Sequence, residues 1–370
     1  MVAETLWDVV VIGAGQAGLA SARALRRHGL HTVVLESRAQ PTGSWPGYYD
    51  SLRLFSPARF SALPGLPFPG DPDRYPARDD VVAYLREYAD LLDVEIRCAT
   101  TVATVDHDPE GFAMTTEAGD VVRGRAVVSA TGAFTRPEIP VVPGAGLFGG
   151  AQLHSGAYRS PAAFADRRVA VVGGGNSAVQ IAHELAAVAD VTLVTRSPIR
   201  FRPQRIAGRD VHLWLHRSGL DIAPGAVTRR LVRTTTVLDP GGYAAALAAG
   251  RIRQRPMFEA LDETGARWAD GATQRLDAIV WATGFRPALQ HLRPLGLGDD
   301  APTHRGGVST TVPGLAFVGL EMQRSFSSST LRGVGRDAAH VGARIAARLG
   351  GRARALRGPA GRLIAHAGQA

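Results

Sequence analysis

A chain of 370 residues, 45% apolar and only 20% charged, has the material for two packed cores and is not the composition of a disordered protein. Its 42 basic residues are all arginine, and against 33 acidic ones they leave a formal charge of +9; they are scattered, which matches an arginine-rich coding bias better than a nucleic-acid surface. A single cysteine, Cys98, excludes a disulfide scaffold, a cysteine-rich metal centre and a dithiol redox centre. No run approaches the ~18 apolar residues of a membrane span, and the N-terminus lacks a basic leader region. The reading is a cytoplasmic protein with no membrane span and no nucleic-acid partner.

Residues 8–12 (DVVVI) form a β-branched run of the kind buried in a parallel sheet. Gly13-Ala14-Gly15-Gln16-Ala17-Gly18 follows at once, then a helical stretch over 19–28 and a second strand over 31–35 that ends at Glu36. The first glycine permits a tight turn, the second a close approach of backbone to pyrophosphate, and the third close packing of helix on strand. The helix N-terminus offers free N–H groups to phosphate. Glu36 falls about 20 residues past the loop, where an acid accepts the 2′-hydroxyl of a ribose. Strand, loop, helix, strand and acid in this order predict a dinucleotide site.

Gly43, Ser44 and Trp45 open a turn-rich segment, and a short extended piece follows at 52–55. Residues 56–76 hold six prolines and read as an irregular loop. Residues 79–92 predict an amphipathic helix, and 101–128 a small antiparallel sheet. That region closes on Ala130-Thr131-Gly132, a strand-to-glycine ending that recurs at Ala282-Thr283-Gly284. Such endings bring the chain close to a cofactor and hand it to a neighbouring domain.

The opening pattern repeats. Residues 168–172 form a strand, Gly173-Gly174-Gly175-Asn176-Ser177-Ala178 the loop, 179–188 a helix, and 191–194 the second strand. The second loop starts 160 residues after the first, and the same offset carries Glu36 onto Arg196. A carboxylate repels a 2′-phosphate, whereas an arginine binds it in a forked, charge-assisted geometry. The first site therefore suits a dinucleotide with free ribose hydroxyls and the second suits NADPH, with Arg200 and Arg202 close enough to assist. A flavin in the first and a nicotinamide in the second is the arrangement this implies. The expected fold is α/β, with two Rossmann-like dinucleotide-binding domains of three-layer ββα type and the NADPH domain inserted in the FAD domain. The expected boundaries are 1–156 and 283–349 for FAD, 157–282 for NADPH with a substrate-shaping insertion near 203–258, and a loosely ordered tail at 350–370. A strand at 315–319 and a helix at 333–349 should complete the flavin half.

Between the halves, Phe148, Gly150, His154 and Tyr158 fit the pattern FxGxxxHxxxY. With the two glycine loops in the same order, the chain resembles the flavin-containing monooxygenases, from the first loop to Arg336. Tyr158 stands where the related Baeyer–Villiger enzymes carry tryptophan. Tyr49 to Leu54 resembles bacterial homologues and the plant indole-pyruvate branch. Arg202 to Arg205, Asp210 and Trp214 resemble bacterial flavoproteins named for potassium transport or arsenic resistance. Ser51 lies in the neighbourhood where the animal enzymes have an asparagine.

The resemblance implies reduction of FAD by NADPH, a flavin C4a-hydroperoxide formed with molecular oxygen, and oxygen transfer to a nitrogen or sulfur centre of a small molecule. The alternatives are an NADPH-dependent flavin oxidase or reductase that releases peroxide, a Baeyer–Villiger or oxidative-decarboxylation reaction, or, outside catalysis, a flavin-bound redox sensor. The resemblance implies FAD contacts from Gly13, Gly15, Gln16, Ala17, Gly18, Glu36, Trp45 and Arg53, and cofactor contacts from Thr131, Gly132, Thr283, Gly284 and Gly319. It implies NADPH contacts from Gly173, Gly175, Asn176, Ser177, Ala178 and Arg196. No metal is expected and no catalytic residue is assigned; His154 reads as positioning the domains. Oligomeric state is open, a homodimer being one option.

Overall fold

The computed structural model describes residues 5–224, 236–298 and 302–350. The chain opens with β1 (Leu6–Ile12), α1 (Gln16–Arg27) and β2 (Thr32–Leu35). The helix starts directly at the second glycine of the loop, three residues earlier than the sequence reading places it. Then come α2 (Arg78–Asp90), β3 (Glu95–Arg97) and the meander β4 (Val102–Asp108), β5 (Gly111–Thr116) and β6 (Val121–Ser129). β1 pairs in parallel with β2 and with β6, and the late strand Leu315–Phe317 pairs in parallel on the far side of β6. This first sheet thus takes strands from both ends of the chain.

Both faces of that sheet are covered, which explains why β1 is apolar at successive positions rather than alternating. On one face, Val9 and Val11 pack with Leu19 and Leu25 of α1 and with Val334 and Ile345 of the C-terminal helix, Leu331–Arg348. On the other, Val10 and Val33 pack with Phe112 and Met114 of the meander and with Leu292. Helices, central sheet and meander form the three expected layers.

The second sheet is parallel and five-stranded. Its strands are Ile252–Pro256, β9 (Asp190–Thr195), β8 (Arg168–Val172), Ala278–Trp281 and β7 (Ala151–His154), in that spatial order. α3 (Asn176–Leu185) joins β8 to β9 and buries Val179, Ile181 and Leu185 on one face. Phe258, Trp268 and Leu276 cover the other. β7 lies ahead of residue 157 and Ile252–Pro256 within 203–258, so both segments belong to this sheet. What lies outside it is a smaller excursion. Arg200–Pro203 pairs in parallel with Thr236–Asp239. Between them stand the hairpin Arg205–Ile206 with Arg209–Asp210 and then α4 (Val211–Arg217). The expected tail, from 351 onward, lies outside the described residues. Among those described, no helix is long and apolar enough to cross a membrane, and no group of three or more His, Cys, Asp or Glu could hold a metal.

Candidate active site

The first glycine loop is shaped by contacts that admit no side chain. Gly13 has φ +101°, and a Cβ there would stand 2.7 Å from the Ala130 carbonyl oxygen. A Cβ on Gly18 would lie 1.7 Å from the Gly13 carbonyl oxygen, which is deep inside van der Waals contact. Gly15 is different: its Cβ would meet only the Cα of Gly43, at 3.7 Å. The fold therefore requires glycine at 13 and 18, whereas at 15 it leaves an open cradle of the kind a diphosphate fills. α1 starts here with no side-chain cap and no acid in its first turn, so its N–H groups face outward with their partial positive charge unopposed.

Glu36 is 3% exposed at the end of β2. Its Oε2 accepts the Ala14 N–H at 2.6 Å, and Oε1 accepts the Arg38 N–H at 2.9 Å and the Ser37 hydroxyl at 3.3 Å. An ionised carboxylate has about four acceptor positions, so Oε2 retains one for a ribose hydroxyl. Gln16 joins three segments: its Oε1 accepts the Trp45 indole N–H at 2.8 Å and its Nε2 donates to the Ser329 carbonyl at 3.4 Å. Gly319 has φ +96°, and a Cβ there would press on Ala17 at 2.9 Å. Ala17, Gly319, Trp45 and Gln16 thus meet at one rim. Arg53 does not join them; its guanidinium is exposed and donates to the Tyr75 carbonyl at 3.5 Å. The sole cysteine, Cys98, follows β3; burial, and then the charge of Glu36, push its thiol pKa up, which disfavours a reactive thiolate.

The two Ala-Thr-Gly endings lie side by side between the sheets. Thr131 Oγ1 donates to the Ala288 carbonyl at 2.7 Å, and the Gly132 carbonyl accepts Ala288 N–H at 2.9 Å. The Gly284 carbonyl accepts Glu138 N–H at 2.9 Å, and Thr283 Oγ1 donates to the Glu138 carbonyl. Pro137 pairs with Phe285, whose ring stacks on Phe134 at 5.3 Å and meets His154 edge-on at 4.7 Å. His154 Nδ1 accepts Gly156 N–H at 3.1 Å, and burial holds its pKa below the ordinary histidine value. The Tyr158 hydroxyl donates to Glu184 at 2.9 Å and the Tyr49 hydroxyl to Gln180 at 2.7 Å, both on α3. Tyr158 of the FxGxxxHxxxY segment and Tyr49 are thus both anchored to α3 of the second sheet.

The second loop repeats the first with one difference. Gly173 has φ +146°, and a Cβ would stand 2.2 Å from the Ala282 carbonyl oxygen. Gly174 and Gly175 have open space where a Cβ would be. Asn176 and Ser177 begin α3, again uncapped and without an acid, and Ala178 is buried behind them. The offset of 160 does not hold to the end of the unit. Ile12 pairs with Leu35, but Val172 pairs with Val194, one residue short of that offset. The connection from loop to second strand is one residue shorter in the second copy. The structural counterpart of Glu36 is thus Thr195, whose Oγ1 accepts Gln254 Nε2 at 2.9 Å, and Arg196 stands at the position of Ser37. The second site lacks the carboxylate and carries an exposed arginine one residue beyond, in the field of Glu138. Glu138 itself pairs with Arg286 at 2.9 Å.

The segment around Gln204 and Asp210, which the sequence marks only by resemblance, ties the 200–224 excursion to the half built on the first sheet. Asp210 accepts from the Tyr75 hydroxyl at 2.5 Å, from Gln204 Nε2 at 2.8 Å, and from His212, through its backbone N–H and ring Nδ1, at 2.8 Å each. Gln204 Nε2 also donates to the Phe55 carbonyl at 3.0 Å. Burial by itself raises the Asp210 pKa, but these hydrogen bonds outweigh it and hold the group at about 2. A depressed carboxylate pKa stabilises the fold above the unfolded value of 3.8 and loses that contribution as pH falls toward 2. Unfolding by urea should therefore lose about 2 kcal/mol of stability over that interval from this group. Asp210→Asn should flatten the same part of the pH profile; an unchanged profile would show that the cluster carries no net stabilisation.

Comparison with known proteins agrees with this architecture. Residues 10–216 match the family model described as pyridine nucleotide-disulphide oxidoreductase. An uncharacterised oxidoreductase named CzcO-like, from Geobacillus kaustophilus, is 32% identical over 90% of this chain and 97% of its own. The indole-3-pyruvate monooxygenase YUCCA1 of Oryza sativa subsp. japonica is 31% identical over 75% of this chain and 76% of its own. The solved flavin-containing monooxygenase from Stenotrophomonas maltophilia is 35% identical, covers 93% of this chain and 99% of its own, and superposes with a TM-score of 0.82. With this extent of match on top of two glycine loops of the same build, the chain belongs to the flavin-containing monooxygenase family within the pyridine nucleotide-disulphide oxidoreductases, as an oxidoreductase that uses FAD and NADPH.

Proposed function

We propose that the protein oxygenates a nitrogen or sulfur centre of a small organic molecule, with FAD in the first glycine loop and NADPH in the second. The observation that carries this reading is the asymmetry of two like loops. One ends in a buried carboxylate with a free acceptor position. The other ends in Thr195 and the exposed Arg196. On this reading residues 1–150 and 283–349 serve the flavin and 151–282, β7 included, the nicotinamide.

FAD held in the first loop would supply the activation of molecular oxygen, with electrons from NADPH; the chain's own residues bind, orient and enclose. Glu36 accepts the ribose hydroxyl, Gly15 and the N-terminus of α1 take the diphosphate, and Trp45, fixed by Gln16, walls the rim. Gly175, Asn176 and Ser177 face the second diphosphate, and Arg196 the 2′-phosphate. The Ala-Thr-Gly endings hold the two halves so that the cofactors can face each other. Thiol–disulfide exchange is disfavoured because Cys98 has no second cysteine to pair with. The rice relative is named for indole-3-pyruvate, which favours oxidative decarboxylation of a keto acid as the second reading.

The test is anaerobic mixing of the FAD-loaded protein with NADPH and with NADH, followed by oxygen and a panel of amines, sulfides, ketones and indole-3-pyruvate. Faster bleaching by NADPH and oxygenated amine or sulfide is expected. Peroxide release in place of product with every compound would replace the monooxygenase reading with an oxidase one. Product from indole-3-pyruvate alone would favour decarboxylation.

A further inference from the structure

The C-terminal helix carries a cation that the described residues leave incomplete. Arg332 lies in its first turn with a side chain 6% exposed. Nε donates to Asp221 Oδ1 at 2.8 Å, while Nη1 and Nη2 are both buried without a hydrogen-bond partner. A guanidinium cannot shed its proton and presents its donors in a planar fork. Burying part of that fork unpaired is costly, and such a group in a native fold calls for a partner.

The local charge is unbalanced in the same sense. Arg332 and Arg336 share the one carboxylate of Asp221, at 2.8 and 3.3 Å. The neighbouring acids are set against other groups: Asp210 accepts from Tyr75, Gln204 and His212, and Asp337 pairs through Oδ1 with Arg324 at 3.5 Å, its Oδ2 being buried without a partner. Asp239 accepts four backbone N–H groups, and no acid occurs in the sequence between it and Asp221. Among the described residues one positive charge remains. Beside it stands an aromatic wall, the ring of Phe55, 6.0 Å from the Arg332 guanidinium carbon. The place is close to the flavin rim, since Ser329, one turn earlier, accepts from Gln16, the partner of Trp45.

We infer that Arg332 binds the carboxylate of the substrate, so that the molecule oxygenated is an organic acid with an apolar body against Phe55. This rests on the monooxygenase reading. A single surplus charge and two terminal nitrogens in one plane match a monoanionic, forked acceptor. The FAD diphosphate is a poorer match because the N-terminus of α1 already addresses it. Both nitrogens are enclosed, so the acid enters by competing with Asp221 and parting the turn at 220–222 from Ser327, whose hydroxyl holds the Asp221 carbonyl at 2.8 Å.

The experiment titrates FAD-loaded protein with (methylthio)acetate and with its methyl ester, which differ in charge at the same thioether. Binding is followed by flavin absorbance without NADPH, and sulfoxide formation is measured separately. Wild type should bind the acid about tenfold or more tighter than the ester. Arg332→Gln should bring the ratio near unity, and Arg332→Lys, which keeps the charge and loses the fork, should retain part of it. Equal binding of acid and ester by wild type, no binding of either, or an equal loss of both in Arg332→Gln overturns the inference. Loss of FAD from Arg332→Gln with the ratio unchanged also overturns it and assigns the guanidinium to the cofactor. An intact, Arg332-dependent preference without sulfoxide would uphold the anchor and reject oxygenation at sulfur.

Discussion

Arg196→Ala will raise the KM for NADPH by about 10- to 100-fold and leave NADH almost unchanged, because a charge-assisted contact to phosphate accounts for that much discrimination. The structural ground is that Arg196 is exposed just past the buried end of β9 and forms no ion pair among the described residues. Its side chain is exposed, so the variant should keep its FAD and its thermal stability. The register makes a second variant informative. Thr195, not Arg196, is the counterpart of Glu36. Thr195→Glu should therefore weaken NADPH by repulsion while Arg196 is still present. Initial-rate kinetics with both nucleotides measures each effect. Equal losses for NADPH and NADH in Arg196→Ala would remove the 2′-phosphate from this position.

The second large effect is expected from the glycines that the backbone itself requires. Gly18→Ala places a Cβ 1.7 Å from a carbonyl oxygen of the same loop, and no rotamer change relieves a contact with main chain. The loop must open, at a cost of about 3 kcal/mol, and the flavin cradle opens with it. The purified variant should show little flavin absorbance per chain and a lowered Tm. Gly173→Ala meets the Ala282 carbonyl at 2.2 Å in a left-handed conformation and should be as destabilising locally. It should still carry FAD and fail instead in reduction by NADPH. The pair of phenotypes separates the two loops by cofactor. A Gly18→Ala protein with full flavin content and unchanged Tm would count against the first assignment.

Much of the fold was legible because its signals are local. β1 and β8 are apolar runs bounded by glycine, and Gly18, which closes on the Gly13 carbonyl of its own loop, writes its constraint into a few adjacent residues. Arg53 shows where proximity in sequence misleads: it is two residues from Ser51 in a segment that resembles the family, yet its side chain turns to Tyr75 at the surface. The register of Arg196 shifts by one because the second unit is one residue shorter between its glycine loop and β9, which moves the strand pairing without disturbing either motif.

The sequence by itself determined two dinucleotide units, their order, the acid of the first and its loss in the second, and the absence of any thiol pair. Tertiary structure alone decided which side chains meet at the seam. Tyr75 reaches Asp210 across 135 positions, and Arg332 reaches Asp221 across 111. These partners come together because the excursion after β9 folds back onto the flavin half and the C-terminal helix closes over α1. A hydrogen bond between residues so far apart leaves no periodicity or spacing in the chain, since it depends on the placement of whole elements and not on the propensity of any one of them.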